Sequence, residues 1–181
     1  DALGGASMSG GYRNVAVGNY SQDAITGGDE NNSLGHSSLG SVTSGWGNSA
    51  VGSYSLSSVS TGYGNSGYGY YVGSSLTGNY NTLMGYSADP SANGGTNQTV
   101  IGYNADGQAD NSVTLGNSDV TAVYMAEDKG ATVYAAGMSL ANDETITNST
   151  NGTVVINGDV AAGTGSAAGV FKSNGNYDAT L

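Results

Sequence analysis

The sequence of residues 45–69, GWGNSAVGSYSLSSVSTGYGNSGYG, contains one short pattern twice. In residues 48–52 and 65–69, an asparagine stands four residues before a glycine that follows an apolar or aromatic residue. The pattern continues in both directions, with spacings of 17, 17, 17, 16, 17 and 14 residues between its final glycines. These anchor glycines are Gly18, Gly35, Gly52, Gly69, Gly85, Gly102 and Gly116. A repeat of this length is typical of stacked architectures.

Four further columns keep the same register. The ladder asparagines are Asn14, Asn31, Asn48, Asn65 and Asn81. A second glycine column contains Gly11, Gly28, Gly45, Gly62, Gly78 and Gly95. The residues directly before the anchor glycines form the strand file: Val17, Leu34, Val51, Tyr68, Met84, Ile101 and Leu115. A second apolar file lies seven residues after the anchors: Ile25, Val42, Val59, Leu76 and Ala92.

This register predicts an all-β fold, a parallel β-solenoid or β-roll of about six 17-residue coils. Each coil is expected to contain two short strand-like pieces, such as 14–17 and the stretch through 25–26, which pair with the next coil about 4.8 Å away. Glycines are expected where the backbone turns through positive φ, and helix is disfavoured throughout. We expect the whole strand file to be buried.

The period divides the chain into three parts. Residues 1–10 are a lead-in segment, residues 11–116 form the solenoid, and residues 117–181 are expected to form an intertwined distal or linking β region. Within this last part, short strands are predicted at 120–125, 131–135 and 153–156.

Charge and composition exclude several classes of function. Fourteen acids face three bases among 181 residues, so the chain lacks the basic surface that nucleic acids require. No apolar run approaches the roughly 20 residues that span a bilayer, so membrane insertion is not expected. Cysteine is absent, which removes thiolate chemistry. Residues 32–88 contain no charged side chain at all, which indicates a backbone protected by regular structure.

The segments 48–56 (NSAVGSYSL) and 61–66 (TGYGNS) resemble the head repeats of trimeric autotransporter adhesins and the glycine-rich repeats of tailed-phage tail fibres. Residues 111–124 are more similar to the phage proteins. The resemblance implies a homotrimeric fibre, located on a virion or at a cell surface, that attaches to host glycans or receptors and contacts other fibre or tail proteins. The unit of 17 residues is longer than the adhesin repeat.

Aromatic residues also fall in columns, and their flat rings suit sugar faces. The candidate receptor or glycan contacts are Trp46, Tyr54, Tyr63, Tyr70, Tyr86 and Tyr103. The alternative is that these rings pack on one another or between subunits. A hydroxyl column fits a solvated strand position, an ice-binding surface or a glycan-binding surface; its members are Thr26, Thr43, Ser60 and Thr77.

Catalytic and metal sites are not expected. His36 is the sole histidine and lacks converging partners. The acid pairs at 29–30, 127–128 and 143–144 are adjacent in sequence, so their side chains diverge. We expect the ladder asparagines to serve the structure alone. No cofactor is predicted.

Assembly is expected because the apolar content of each coil is small. Two sizeable apolar side chains per coil contribute about 3–6 kcal/mol, whereas ordering each residue costs about 1–2 kcal/mol. The small residues two before the anchors (Ala16, Ser33, Ala50 and Gly67) are predicted to form a trimer interface, with Leu83 and Val100 filling it further along. Ala50→Arg is then expected to disrupt assembly, whereas Ser53→Arg is not.

The leading hypothesis is therefore a fibrous attachment protein without enzymatic activity. A structural shaft or self-assembling extracellular filament is the alternative, favoured by the uncharged stretch. An ice-binding solenoid and a polysaccharide-degrading spike complete the hypotheses.

Overall fold

The chain is an all-β parallel solenoid of about six turns. In a computed structural model, the described residues are 11–127 and Val133, and these contain no helix, as predicted. Each turn contributes one strand of three residues to a single sheet. The strands are β1 (Val15–Val17), β2 (Asn32–Leu34), β3 (Ser49–Val51), β4 (Ser66–Tyr68), β5 (Thr82–Met84), β6 (Thr99–Ile101) and β7 (Val113–Leu115).

The sheet keeps the chain order from β1 to β7, and every pairing is parallel. Partner residues are offset by 17, 17, 17, 16, 17 and 14 positions, so the strands pair in the register of the repeat. Column residues consequently lie directly above one another. The predicted period and pairing are confirmed.

The second predicted strand of each coil is not a strand. Around residues 25–26 the backbone still bonds to the next coil, with Thr26 N–H donating to the Thr43 carbonyl and Thr43 N–H to the Ser60 carbonyl. These bonds are isolated because turns precede and follow them, and several turn residues have positive φ, such as Tyr54 (58°) and Leu56 (50°). Residues 120–125, also predicted as a strand, have no strand pairing.

Each strand points its middle residue into the coil and its two outer residues to solvent. The middle positions of β3, β5 and β6 are Ala50, Leu83 and Val100, all fully buried. Of the second apolar file, Ile25, Val42, Val59 and Leu76 are buried. The core is completed by turn residues: Leu39, Leu56, Val72, Ala88 and Ala105.

Two sequence-based predictions about burial are wrong. The strand file is exposed at 39–52% of each side chain's surface instead of buried, because side chains alternate along a strand and a one-residue error reverses the face. The small residues assigned to the trimer interface, including Ala50, instead face the interior. Ala92 is exposed, and Pro90 is the buried residue of its segment.

Glycine has two separate roles in each coil. The sequence predicts positive φ for the glycines of both columns, and the anchor Gly52, with φ of 124°, has this conformation, which favours glycine. Gly45, from the second glycine column, lies outside that region of φ but approaches the next coil so closely that a Cβ would overlap the carbonyl oxygen of Gly62. Close stacking of the coils, rather than the turn, requires glycine there.

The predicted lead-in segment 1–10 and the strands expected at 131–135 and 153–156 lie outside the described residues, except for Val133. The chain divides into a unit of residues 1–131 and a unit of residues 132–181. The solenoid belongs to the first.

Candidate functional site

The ladder asparagines form an interior hydrogen-bonded column. Asn48 Nδ2 donates to the carbonyl of Gly62 (2.9 Å) and to Asn31 Oδ1 (3.0 Å), while Asn48 Oδ1 accepts from the backbone N–H (3.0 Å) and the amide (3.0 Å) of Asn65. Asn81 repeats this arrangement towards Asn65 and Gly95. Four of the five asparagines are fully buried (Asn31, Asn48, Asn65 and Asn81). Because the side-chain Nδ2 and Oδ1 of these asparagines bond between coils, they are not available to bind a ligand.

Exposed and half-buried rings follow the anchor glycines in a continuous column along the coils. We call this the tyrosine row: Tyr20, His36, Tyr54, Tyr70, Tyr71, Tyr86 and Tyr103. Neighbouring ring centroids lie 4.6–6.4 Å apart. Tyr20, Tyr54 and Tyr71 occupy the second position after an anchor, where φ is 57–58°. Because successive coils are in register, rings from separate repeats meet at contact distance.

A shorter column, the tryptophan row, lies elsewhere in the coils. The rings of Trp46 and Tyr63 are stacked with an interplanar angle of 3° and centroids 4.9 Å apart. Tyr80 meets Tyr63 edge to face at 89° and covers the position of Gly64, where a Cβ would lie 2.9 Å from the Tyr80 ring. Trp46 and Tyr63 therefore cover one face of each other's ring, which reduces the surface available to a sugar.

The candidate contacts predicted from sequence are thus divided between two places. Tyr54, Tyr70, Tyr86 and Tyr103 share the tyrosine row, whereas Trp46 and Tyr63 belong to the tryptophan row. His36 was not among the predicted contacts, although it occupies the same position after Gly35 as Tyr70 occupies after Gly69. The position of His36 in this column could have identified it as a member of the row from the sequence alone.

Desolvation raises the pKa of one tyrosine in each row, Tyr70 and Tyr80. Desolvation among the neighbouring rings, with smaller contributions from Tyr71, Tyr86 and Tyr54, raises the pKa of Tyr70 above its ordinary value of 10.0. Desolvation and the nearby Tyr63 likewise raise the pKa of Tyr80. The hydroxyls of these two tyrosines are consequently neutral hydrogen-bond donors.

Beside the start of the tyrosine row lies a polar groove of about 400 Å³. It is lined by Tyr20, Asp23, Ser37, Gly40, Ser41, Tyr54, Ser57 and Ser58. A second polar cavity, of about 520 Å³, includes Tyr103, Asp106 and Asp119 in its lining. Neither cavity was predicted from the sequence, because their linings combine turn residues from different coils.

The outer face of the sheet carries the strand file and is an apolar surface. A shallow groove of about 280 Å³ crosses it, lined by residues including Val17, Leu34, Val51 and Tyr68. The companion file of outward strand residues is largely polar between β2 and β6: Asn32, Ser49, Ser66, Thr82 and Thr99. The sheet therefore presents an apolar stripe beside a stripe of hydroxyl and amide groups.

The hydroxyl column bonds along the solenoid axis. Thr26 Oγ1 donates to the Thr43 carbonyl (3.2 Å), Thr43 Oγ1 to the Ser60 carbonyl (3.3 Å) and Thr77 Oγ1 to the Asn93 carbonyl (3.1 Å). These hydroxyls stabilise the stacking of the coils. Because they donate to backbone carbonyls, they are less available to bind ice.

Acidic side chains in the described coils contact neighbouring coils. Asp29 Oδ1 accepts from the Tyr12 N–H (2.7 Å), and Glu30 pairs with Arg13 (2.7 Å). The backbones of Asp89 and Asp106 form an isolated parallel β-bridge. Desolvation, followed by repulsion from Asp106, raises the pKa of Asp89. Asp89 and Asp106 are 17 residues apart, which is one repeat, so the sequence could have predicted that they lie in adjacent coils.

Within residues 11–127 and at Val133, no group of three or more His, Cys, Asp or Glu side chains is placed to hold a metal ion. The same residues include no helix able to cross a membrane. No protein-family model, curated protein or solved structure matches the chain.

Proposed function

We propose that this chain is a segment of a homotrimeric attachment fibre on a virion or cell surface, whose sheet packs against copies of itself and whose ring-bearing turns contact host glycans or receptors. The observation that carries the proposal is the strand file, a continuous stripe of seven half-exposed residues of which all are apolar or aromatic. Contiguous exposed apolar surface of this kind marks association sites.

A second copy of the same chain is the partner that fits this stripe best. Along residues 32–88 there is no charge on either copy to repel the other or to require desolvation. Every copy of the chain presents the same stripe, and a closed ring of three copies covers each stripe without leaving one open for further addition. Other fibre or tail proteins are expected at the fibre ends.

Association is tested by light scattering of the purified full chain. We expect a trimer for the unmodified protein and a monomer for Val51→Arg, because Val51 is central in the stripe and 40% exposed. Thr61→Arg is the matched control, since Thr61 is exposed in the same coil but lies off the sheet. A monomeric unmodified chain would contradict the trimer.

Attachment is tested separately, by adsorption of the labelled chain to candidate host cells. We expect the unmodified chain to adsorb to host cells. Tyr54→Ala, which removes a ring of the tyrosine row, should abolish adsorption, whereas Thr61→Arg should leave it unchanged.

A purely structural shaft or filament is the second candidate. The mutual packing of the rings favours it, because stacking along the axis gives these side chains a role without any ligand. An assembled chain that adsorbs to no host cell and binds no glycan would favour this alternative.

A further inference from the structure

The polar groove beside Tyr20 has the composition of a carbohydrate site. Two aromatic residues, Tyr20 and Tyr54, line it, Asp23 contributes a carboxylate, and serines make up most of the remainder. Its volume of about 400 Å³ lies within the roughly 300–1,000 Å³ typical of small-molecule sites.

The rings at this end of the tyrosine row are arranged differently from the stacked pair Trp46–Tyr63. Tyr20 meets His36 at 86°, and His36 meets Tyr54 at 64°. An edge-to-face contact covers at most one face of either ring. Among the described residues the Tyr20 ring contacts only that of His36, and the side chain is 49% exposed. Tyr20 can therefore offer a ring face to the C–H surface of a sugar.

The polar groups of the groove are suited to accepting hydrogen bonds. Asp23 has no hydrogen bond or ion pair within the described residues, so both carboxylate oxygens are free to accept from neighbouring sugar hydroxyls. The hydroxyls of Ser57 and Ser58 donate to the Ser74 carbonyl, which leaves their lone pairs for further donors. Acceptors without nearby cations are the complement of a polyhydroxyl ligand.

The groove is also held rigid by the stacking of three coils. Ser37 N–H donates to the Asn19 carbonyl (2.9 Å), Tyr54 N–H to the His36 carbonyl (2.8 Å) and Ser41 N–H to the Ser57 carbonyl (3.2 Å). A preorganised site loses less entropy on binding. The lining of the larger cavity near Tyr103, by contrast, includes residues 117–119, which follow the last strand of the solenoid.

Charge restricts the class of sugar. Arg13 is the single cationic Lys or Arg side chain within residues 11–127, and it pairs with Glu30. The groove itself contains Asp23 and no base. A sialic acid, uronate or sulfated sugar would thus place an anion beside an unpaired carboxylate, and nothing in the groove would offset the repulsion.

We infer that this groove binds a neutral oligosaccharide, with the Tyr20 ring against a sugar face and Asp23 accepting hydrogen bonds from sugar hydroxyls. The inference rests on the proposed attachment function and gives it a ligand class and a location. Of the contacts predicted from sequence, Tyr54 alone lines the site.

The test is binding of the full chain to a panel of neutral probes (mannohexaose, cellohexaose and β-galacto-oligosaccharides) and acidic probes (sialyllactose and oligogalacturonate), measured by calorimetry. We expect binding to at least one neutral probe and to no acidic probe. Tyr20→Ala and Asp23→Asn should each weaken it at least tenfold. Tyr12→Ala, which removes an exposed ring outside the groove and outside the tyrosine row, should leave it within twofold.

Three results would overturn the inference: no binding to any probe, equal binding of acidic probes, or loss in Tyr12→Ala with retention in Tyr20→Ala and Asp23→Asn. Far-ultraviolet circular dichroism of each variant checks that its fold is intact, and Tyr20→Phe keeps the ring if Tyr20→Ala loses structure. Because host-cell adsorption is measured separately, adsorption without glycan binding would reject this site while leaving the attachment function in place.

Discussion

The interior of the solenoid and the outer face of its sheet are supplied by adjacent residues of the same three-residue strands. Inward positions are chemically mixed and include Ala50, Gly67 and Leu83, whereas the outward strand file is apolar or aromatic at every step. The inward side chains are nevertheless the buried ones. Apolarity in a repeat therefore marks a surface that needs a partner, and that partner can be another chain as well as the molecule's own core.

The difference has a physical cause in how the coil is filled. Turn residues such as Leu39 and Leu56 reach across the interior. At Gly67 an added Cβ would lie 2.7 Å from Leu56 Cγ, so the space that a larger strand residue would occupy is already taken. A small inward residue is thus required by the packing at Gly67, while the large side chain of the same strand, Tyr68, lies on the outside.

The largest effect is expected from placing one charge on either side of the same strand. Ala50→Arg should abolish cooperative folding, at a cost of more than about 4 kcal/mol, because the guanidinium would be buried without a partner. Val51→Arg should keep its β-type circular dichroism spectrum and lose only association.

Equal spectra for the Ala50→Arg and Val51→Arg variants would refute the assignment of inward and outward positions. So would aggregation of Val51→Arg into unfolded material while Ala50→Arg stays native.

A smaller effect is expected from removing equal side chains from the two surfaces. Leu56→Ala should destabilise the chain by about 2–5 kcal/mol, the range for a fully buried leucine. Leu34→Ala, which shortens a half-exposed leucine of the strand file, should cost clearly less. Urea denaturation in a Val51→Arg background measures both without a contribution from association. A Leu34→Ala loss as large as that of Leu56→Ala would contradict the comparison.

The smallest effect concerns two acids at the end of the solenoid. The pKa of Asp89 is raised, so its ionised form is disfavoured in the folded chain. Its stability contribution is therefore full below the ordinary value of 3.8 and is lost as the pH rises through the raised pKa. Asp89→Asn should stabilise the chain slightly at pH 7 and flatten the dependence of stability on pH above 3.8.

Asp110 provides the control of opposite sign. Hydrogen bonds from the Thr96 N–H, and then from Gln98, lower the pKa of Asp110. Its stabilising contribution is present above 3.8 and is lost as the pH falls through the lowered pKa. Asp110→Asn should accordingly destabilise at pH 7. Thermal melts across pH 3–8 compare the two variants, and shifts of the same sign would show that the acids act through net charge alone.

Much of the fold followed from spacing. The anchor glycines predicted the coil length, the parallel pairing and the register, including the shorter steps of 16 and 14 residues. The number of strands per coil was predicted less well. The pieces around residues 25–26 are apolar and β-branched, but turns with positive φ beside them prevent a continuous ladder there. The candidate site was predicted in part, since Tyr54 was selected for its column whereas Tyr20 and Asp23 gain their relevance from neighbours one and two coils away.

The spacing of the repeat is enough to place equivalent residues above one another, because a repeat of near-constant length stacks at one spacing and pairs each strand with its copy. Which side of each strand faces inward depends on the packing of the folded coil. Strands of three residues are too short to show an alternation of polarity, and the direction depends on how Leu39, Leu56 and the ladder asparagines fill the coil. The exposed apolar stripe and the groove beside Tyr20 both follow from that packing.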